Sequence, residues 1–118
     1  MSFHFYSHAW EVRDMEDGTR VRLSARDLDP ESISVLVEDL FELAQESGQP
    51  HLYLDFAEIR QVASVVMGKL LALHARLCEH GGRVILQSLN PLPYETLQAA
   101  RLTEILEVHM KEASETIF

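Results

Sequence analysis

HLYLDFAEIRQVASVVMGKLLALHARLCEHGGRVILQSL, residues 51–89, holds two short apolar runs with a long amphipathic segment between them. HLYLDF (51–56) and RVILQSL (83–89) have the length and composition of strands. From Ser64 to Glu79, at 100° per residue, Val66, Met67, Leu70, Leu71, Leu73, His74 and Leu77 share one broad face, which is the pattern of a helix packed on a sheet. Gly81-Gly82 stops that helix. Two strands joined by a helix are parallel neighbours, because parallel strands need a crossover between them.

Working back towards the N-terminus, Asp29-Pro30-Glu31 reads as a helix start, with Asp29 as N-cap and Pro30 at the first helical position. Ile33, Leu36, Val37, Leu40, Phe41 and Ala44 then form an apolar stripe, the acids Glu38, Asp39, Glu42 and Glu46 fall on other faces, and Gly48 and Pro50 end the helix. Phe3 to Val12 reads as a strand, Asp17-Gly18 as a hairpin turn, and Thr19 to Ala25 as its antiparallel partner, with Val21, Leu23 and Ala25 inward and Arg20 and Arg22 outward. Past Leu89, Asn90-Pro91 opens a short helix to about Ala100, Leu106 to His109 is a last short strand, and a closing helical turn runs to Phe118. The expected fold is therefore one α/β domain over residues 1–118, a mostly parallel sheet of about five strands with helices packed against it and an antiparallel N-terminal strand.

Composition bounds the function. The chain has 118 residues, 47% apolar and 25% charged, enough for one sizeable core without metal or disulfide. A net charge of −9 repels a phosphate backbone, so direct nucleic-acid binding is not expected. The charge is uneven: residues 27–59 hold acids and no Lys or Arg, whereas 60–83 carry Arg60, Lys69, Arg76 and Arg83 against Glu79. That asymmetry reads either as two solvated helix faces or as a surface that orients a partner. A lone cysteine, Cys78, fits a reducing compartment; with neither a signal-peptide pattern nor an apolar run near the roughly 20 residues that span a bilayer, a soluble cytoplasmic protein is expected.

Chemistry is sparse. Ser64 opens the second helix and reads as an N-cap or as a phosphorylation site, where a phosphate would meet the helix dipole. Ser64, Gly68, Ala72 and Ala75 share a sector of about 80° off the apolar face. Gly68 costs about 1 kcal/mol against alanine inside a helix, so close approach of another backbone is expected there, either this chain's own or a partner's. Lys69 and Arg76 would rim that contact. His74 and Cys78, four apart, could meet as a catalytic pair or half a metal site, but His74 lies within the apolar face and reads as a packed core histidine with one hydrogen bond. His4 and His8 read as structural, and Asp55, at a strand end, has no second acid or phosphate loop beside it. No catalytic residue, cofactor or metal is expected.

From Leu52 to Leu106 the chain resembles the STAS domain family, the bacterial anti-sigma factor antagonists and their relatives. The resemblance rests on LYLDF, a serine at a helix start, MGKLLALHARL, the GG turn, RVILQSLNP and ARLTEIL. It implies that Ser64 is the serine phosphorylated by a partner, an anti-sigma factor or related serine kinase with a GHKL-type ATP-binding fold. It also implies that Gly68 is the glycine of the family's helix start. The unphosphorylated domain would bind the kinase and release a sigma factor, a signal-transduction role in transcription. The contact surface so expected is Arg60, Ala63, Ser64, Val65, Gly68, Lys69 and Ala72; homodimer formation is left open. The chain departs from the family pattern at Ala63, where an aspartate is usual, and at Val65 and Val66, where small residues follow. A STAS accessory subunit of a transport or signalling complex, with no phosphorylation, is the alternative those departures suggest.

Overall fold

A computed structural model describes residues 10–48 and 51–111, and the strand–helix–strand unit lies at its centre. The elements are β1 (Glu11–Asp14), β2 (Gly18–Arg22), α1 (Ile33–Ser47), β3 (His51–Asp55), α2 (Ser64–Cys78), β4 (Arg83–Leu89), α3 (Pro91–Ala99) and β5 (Glu107–Met110), with a 3₁₀ turn at Leu102–Glu104. The sheet order is β1-β2-β3-β4-β5. β1 is antiparallel to β2, and every other pair is parallel. Each parallel step is made by one helix: α1 carries the chain from β2 to β3, α2 from β3 to β4, and α3 from β4 to β5.

Register sorts the side chains. Val21, Leu54, Leu86 and Val108 lie in one row across the sheet, and on that face they join a core with Leu36 and Leu40 of α1, Val66, Leu70, Leu73 and Leu77 of α2, and Leu97 of α3. Each fully buried leucine stabilises the fold by roughly 2–3 kcal/mol. The opposite face is charged, with the rows Arg20–Tyr53–Ile85–Glu107 and Arg22–Asp55–Gln87. Arg20 and Arg22 thus point away from the core as expected, and both reach the buried Asp55, with Arg22 still exposed.

The apolar stripes of both long helices are placed as their periodicity predicts; on α1 only the start differs. Asp29 does not cap α1: its carboxylate accepts the Glu31 N–H at 3.1 Å in a local turn, and the helix begins at Ile33 with Ser32 before it. The short Asp side chain reaches its own neighbour first, as aspartate often does in turns. Ala25 is exposed rather than inward. β2 ends at Arg22, and Asp27 folds the chain back by accepting the N–H and the hydroxyl of Ser24 at 2.7 and 3.1 Å. Gly48 closes α1 in the left-handed conformation, and Gly81 does so after α2, where the Gly82 N–H returns to the Leu77 carbonyl at 2.8 Å. β4 is interrupted near its end: Ser88 takes a left-handed φ of 57°, and pairing with β5 shifts between Leu86 and Leu89. The expected strand residues Phe3–Ala9, with His4 and His8, and the closing turn over 112–118 lie outside the described residues.

Gly18 is needed for space rather than for turn geometry. A Cβ there would stand 2.2 Å from the His51 carbonyl oxygen, so β2 and β3 start their parallel pairing at a point where no side chain fits.

A candidate docking surface at the start of the second helix

The loop between β3 and α2 is held from below and from the side. Phe56, Ile59 and Val62, spaced by three, are buried. The Phe56 N–H donates to the Gln87 carbonyl at 2.9 Å, the Ala57 N–H to Asp55 Oδ1 at 2.9 Å, and the Ile59 N–H to the Phe56 carbonyl at 2.9 Å. Asn90 completes the frame. It stands at the N-cap position of α3 but makes no cap bond; its Nδ2 donates instead to the carbonyls of Ala57 and Ile59, at 3.0 and 2.8 Å. Sequence reasoning took Asn90-Pro91 as a helix start and missed this role, because nothing local in Asn-Pro distinguishes a cap from a long-range tie.

On this frame α2 begins in the open. Ser64 is the first helical residue, not the N-cap: Ala63 holds that position with extended backbone and no side-chain cap bond. The Ala63 carbonyl accepts the Val66 and Met67 N–H groups at 3.0 and 3.1 Å. An alanine at N-cap leaves the first turn without the acceptor that Ser, Thr, Asp or Asn would supply, and the first turn carries no acid. Arg60, Ala63, Ser64, Val65, Gly68 and Ala72 are all exposed, and Lys69 is half-buried. Val65, 46% exposed, is a large apolar side chain in water at the first turn.

The wheel reading of α2 holds on both sides. Its apolar face is buried or half-buried throughout, and Ser64, Gly68, Ala72 and Ala75 are exposed. Of the two expectations for Gly68, approach by the chain's own backbone is excluded among the described residues, since a Cβ added there meets nothing within 4 Å. Arg76, expected in a charged rim beside Lys69, is turned to α1 instead. Its guanidinium lies 3.9 Å from the centre of the Phe41 ring and pairs with Glu38.

The remaining candidates resolve into structural ties. Asp55, 2% exposed, accepts from Arg20 Nη2 at 3.2 Å and Arg22 Nε at 3.1 Å; the hydrogen bond to Asp55, and then its charge, raise the Arg22 guanidinium above its ordinary pKa. His74 is half-buried, and its Nδ1 accepts the Val84 N–H at 3.1 Å, while Nε2 lies 3.4 Å from Cys78 Sγ. Burial, and then the charge of Arg83, push the His74 pKa below the ordinary histidine value. Among the described residues no three His, Cys, Asp or Glu side chains converge as a metal site, and no helix is long and apolar enough to cross a membrane.

Comparison with known proteins agrees with this geometry. The family described as "Mlab, STAS domain" matches residues 10–107. Among solved structures, TM1081 of Thermotoga maritima superposes with a TM-score of 0.78 at 16% identity, over 94% of this chain and 88% of that one. An anti-sigma-factor antagonist (STAS) domain protein from Planctomyces limnophilus superposes at 0.70 with 16% identity, over 90% and 93%. A RsbS variant from Moorella thermoacetica superposes at 0.66 with 19% identity, over 89% and 91%. None of the curated proteins matches in sequence. With a five-stranded mixed sheet, helices on its apolar face and a family match over most of its length, the chain belongs to the STAS domain family.

Proposed function

We propose that this chain is a protein-binding module of the anti-sigma factor antagonist kind, not an enzyme, and that its docking surface is Arg60, Ala63, Ser64, Val65, Gly68, Lys69 and Ala72. The observation that carries the reading is the empty space over Gly68, flanked by exposed Ser64 and Ala72. A glycine that weakens its own helix and touches nothing nearby is accounted for by a partner whose backbone comes close. Phosphorylation of Ser64 by a partner serine kinase of GHKL type is the proposed switch. It would put nearly two negative charges and a bulky group on that surface, at a helix end whose dipole tolerates them, so contact is lost while the fold survives. A single domain over residues 1–118 working in the cytoplasm is part of the same proposal.

A second reading is favoured by the first turn itself. Ala63 in place of an acid, with Val65 exposed beside it, makes the surface more apolar, which suits a STAS accessory subunit held constitutively in a transport or signalling complex without phosphorylation. One experiment separates the two. The protein is incubated with Mg-ATP and lysate of its own organism, beside a Ser64→Ala control, and its intact mass is measured. One added phosphate that vanishes in the control supports the switch; no added mass, with the lysate kinases active on a known substrate, sinks it in favour of the constitutive subunit.

A further inference from the structure

A histidine of α2 is hydrogen-bonded to the backbone of β4 near the start of that strand. β5 begins opposite Ile85 and so does not reach Val84, one residue earlier in β4. Val84 is fully buried, and its N–H donates to His74 Nδ1 at 3.1 Å. The imidazole therefore stands in for a strand that has not yet started. A ring nitrogen that accepts must lack a proton, so neutral His74 carries its hydrogen on Nε2. That hydrogen faces Cys78 Sγ, one turn further along the helix at 3.4 Å. Leu73 and Leu77, its neighbours on the helix, are buried, and the ring itself is half-buried.

We propose that His74 is an acid-released latch: neutral, it fastens α2 to the first residues of β4, and protonated, it lets that seam open while the rest of the sheet stays formed. The added proton would sit on Nδ1 against the Val84 N–H, donor facing donor. It would also leave a buried amide without an acceptor. Arg83, the residue before Val84, is the charged group among the described residues that acts on the ring, and Cys78 is the titratable neighbour on its own helix. Neither supplies a negative partner for an imidazolium, and Glu107 of β5 is paired with Arg83 at 3.2 Å. The direction follows from linkage. A histidine whose folded pKa is depressed binds fewer protons folded than unfolded, so its contribution is complete above the ordinary value of about 6.5 and is lost as pH falls through the lower folded value. The latch lies near the C-terminal end of α2, away from Ser64, and stands whether or not that serine is modified.

The test is an NMR titration of the ¹⁵N-labelled full chain from pH 8 to pH 5. Ring nitrogen shifts report the tautomer of His74, and amide exchange, corrected for its intrinsic pH dependence, reports local opening. The expected result is a proton on Nε2 at high pH, and opening at Val84 that rises about tenfold as His74 titrates, one lost hydrogen bond of roughly 1.4 kcal/mol. Leu54, in the centre of the sheet, should stay protected. A proton on Nδ1 at high pH, a Val84 amide indifferent to the titration, or Val84 and Leu54 opening together would each overturn the latch. In His74→Phe the pH dependence at Val84 should vanish; if that variant does not fold, the wild-type ring and amide data decide alone.

Discussion

The two ends of the sheet are built on opposite terms. At the end where β2, β3 and β4 begin, the described residues are tied by close contacts. Gly18 lets two strand backbones meet, His74 takes the Val84 amide, Gly81 and Gly82 close α2, and Arg76 of α2 lies on Phe41 of α1 while paired with Glu38. At the end where the same strands finish, the loop into α2 is pinned by Asn90 and then released into an uncapped first turn with Ser64 and Val65 in water. The first end is tied by close contacts, and the second leaves the start of α2 accessible. Helix starts in an α/β sheet lie at the carboxyl ends of the strands, where open crevices and binding sites tend to form.

The comparison breaks most directly at Gly18. Gly18→Ala puts a Cβ against the His51 carbonyl, a backbone atom that cannot swing aside. A loss of about 3 kcal/mol is expected in urea unfolding, at the upper end of overpacking costs. A near-neutral result would mean that the closed end is looser than its geometry. Asn90→Ala comes next. It removes both donors to the Ala57 and Ile59 carbonyls, and about 2 kcal/mol should be lost. Amide exchange should accelerate first between residues 57 and 66. Uniform acceleration would show that Asn90 supports the whole fold rather than the loop under Ser64.

How much of this was legible in the sequence depended on the range of the interaction. Periodicity located α1 and α2, and short apolar runs located β3 and β4, because burial of an apolar stripe or run is a local pattern, and Leu36, Leu40, Leu70 and Leu77 all went where their spacing sent them. The parallel sheet followed from the alternation of strands and helices. Capping was less legible: Asp29 turned to Glu31, and Ser64 fell one residue inside its helix, shifts that propensity alone does not resolve. The long-range ties were not legible at all. Asp55 with Arg20 and Arg22, and Asn90 with Ala57 and Ile59, join residues more than thirty apart. The exposure of the candidate docking strip could be read from the wheel; the emptiness above Gly68 could not, because it depends on what α1 and the loops leave uncovered.

Two smaller changes sharpen the contrast from the open end. Ala63→Asp supplies the acceptor that the first turn of α2 lacks, and should raise stability by about 1 kcal/mol. Gly68→Ala removes a helix-interior glycine where a methyl group meets nothing, and should add about 1 kcal/mol as well. Thermal unfolding measures both. A loss of stability in either would show that the open end is already satisfied by the fold, and the case for a partner there would weaken.

Ser64→Asp should change stability least and is the most informative for that reason. The side chain is exposed at the first helical position, it makes no cap bond to lose, and a carboxylate there meets the positive end of the helix dipole. The expected change is a gain of about 0.5 kcal/mol that shrinks as salt is raised. The same negative charge would stand in the proposed docking strip, next to Val65 and one turn from Gly68. A protein that keeps its urea midpoint at Ser64→Asp while losing its partner would separate the surface that binds from the structure that supports it. If the midpoint fell by more than about 1 kcal/mol, Ser64 would have to be counted among the groups that hold α2 in place, and the division between a closed end and an open one would fail at its central residue.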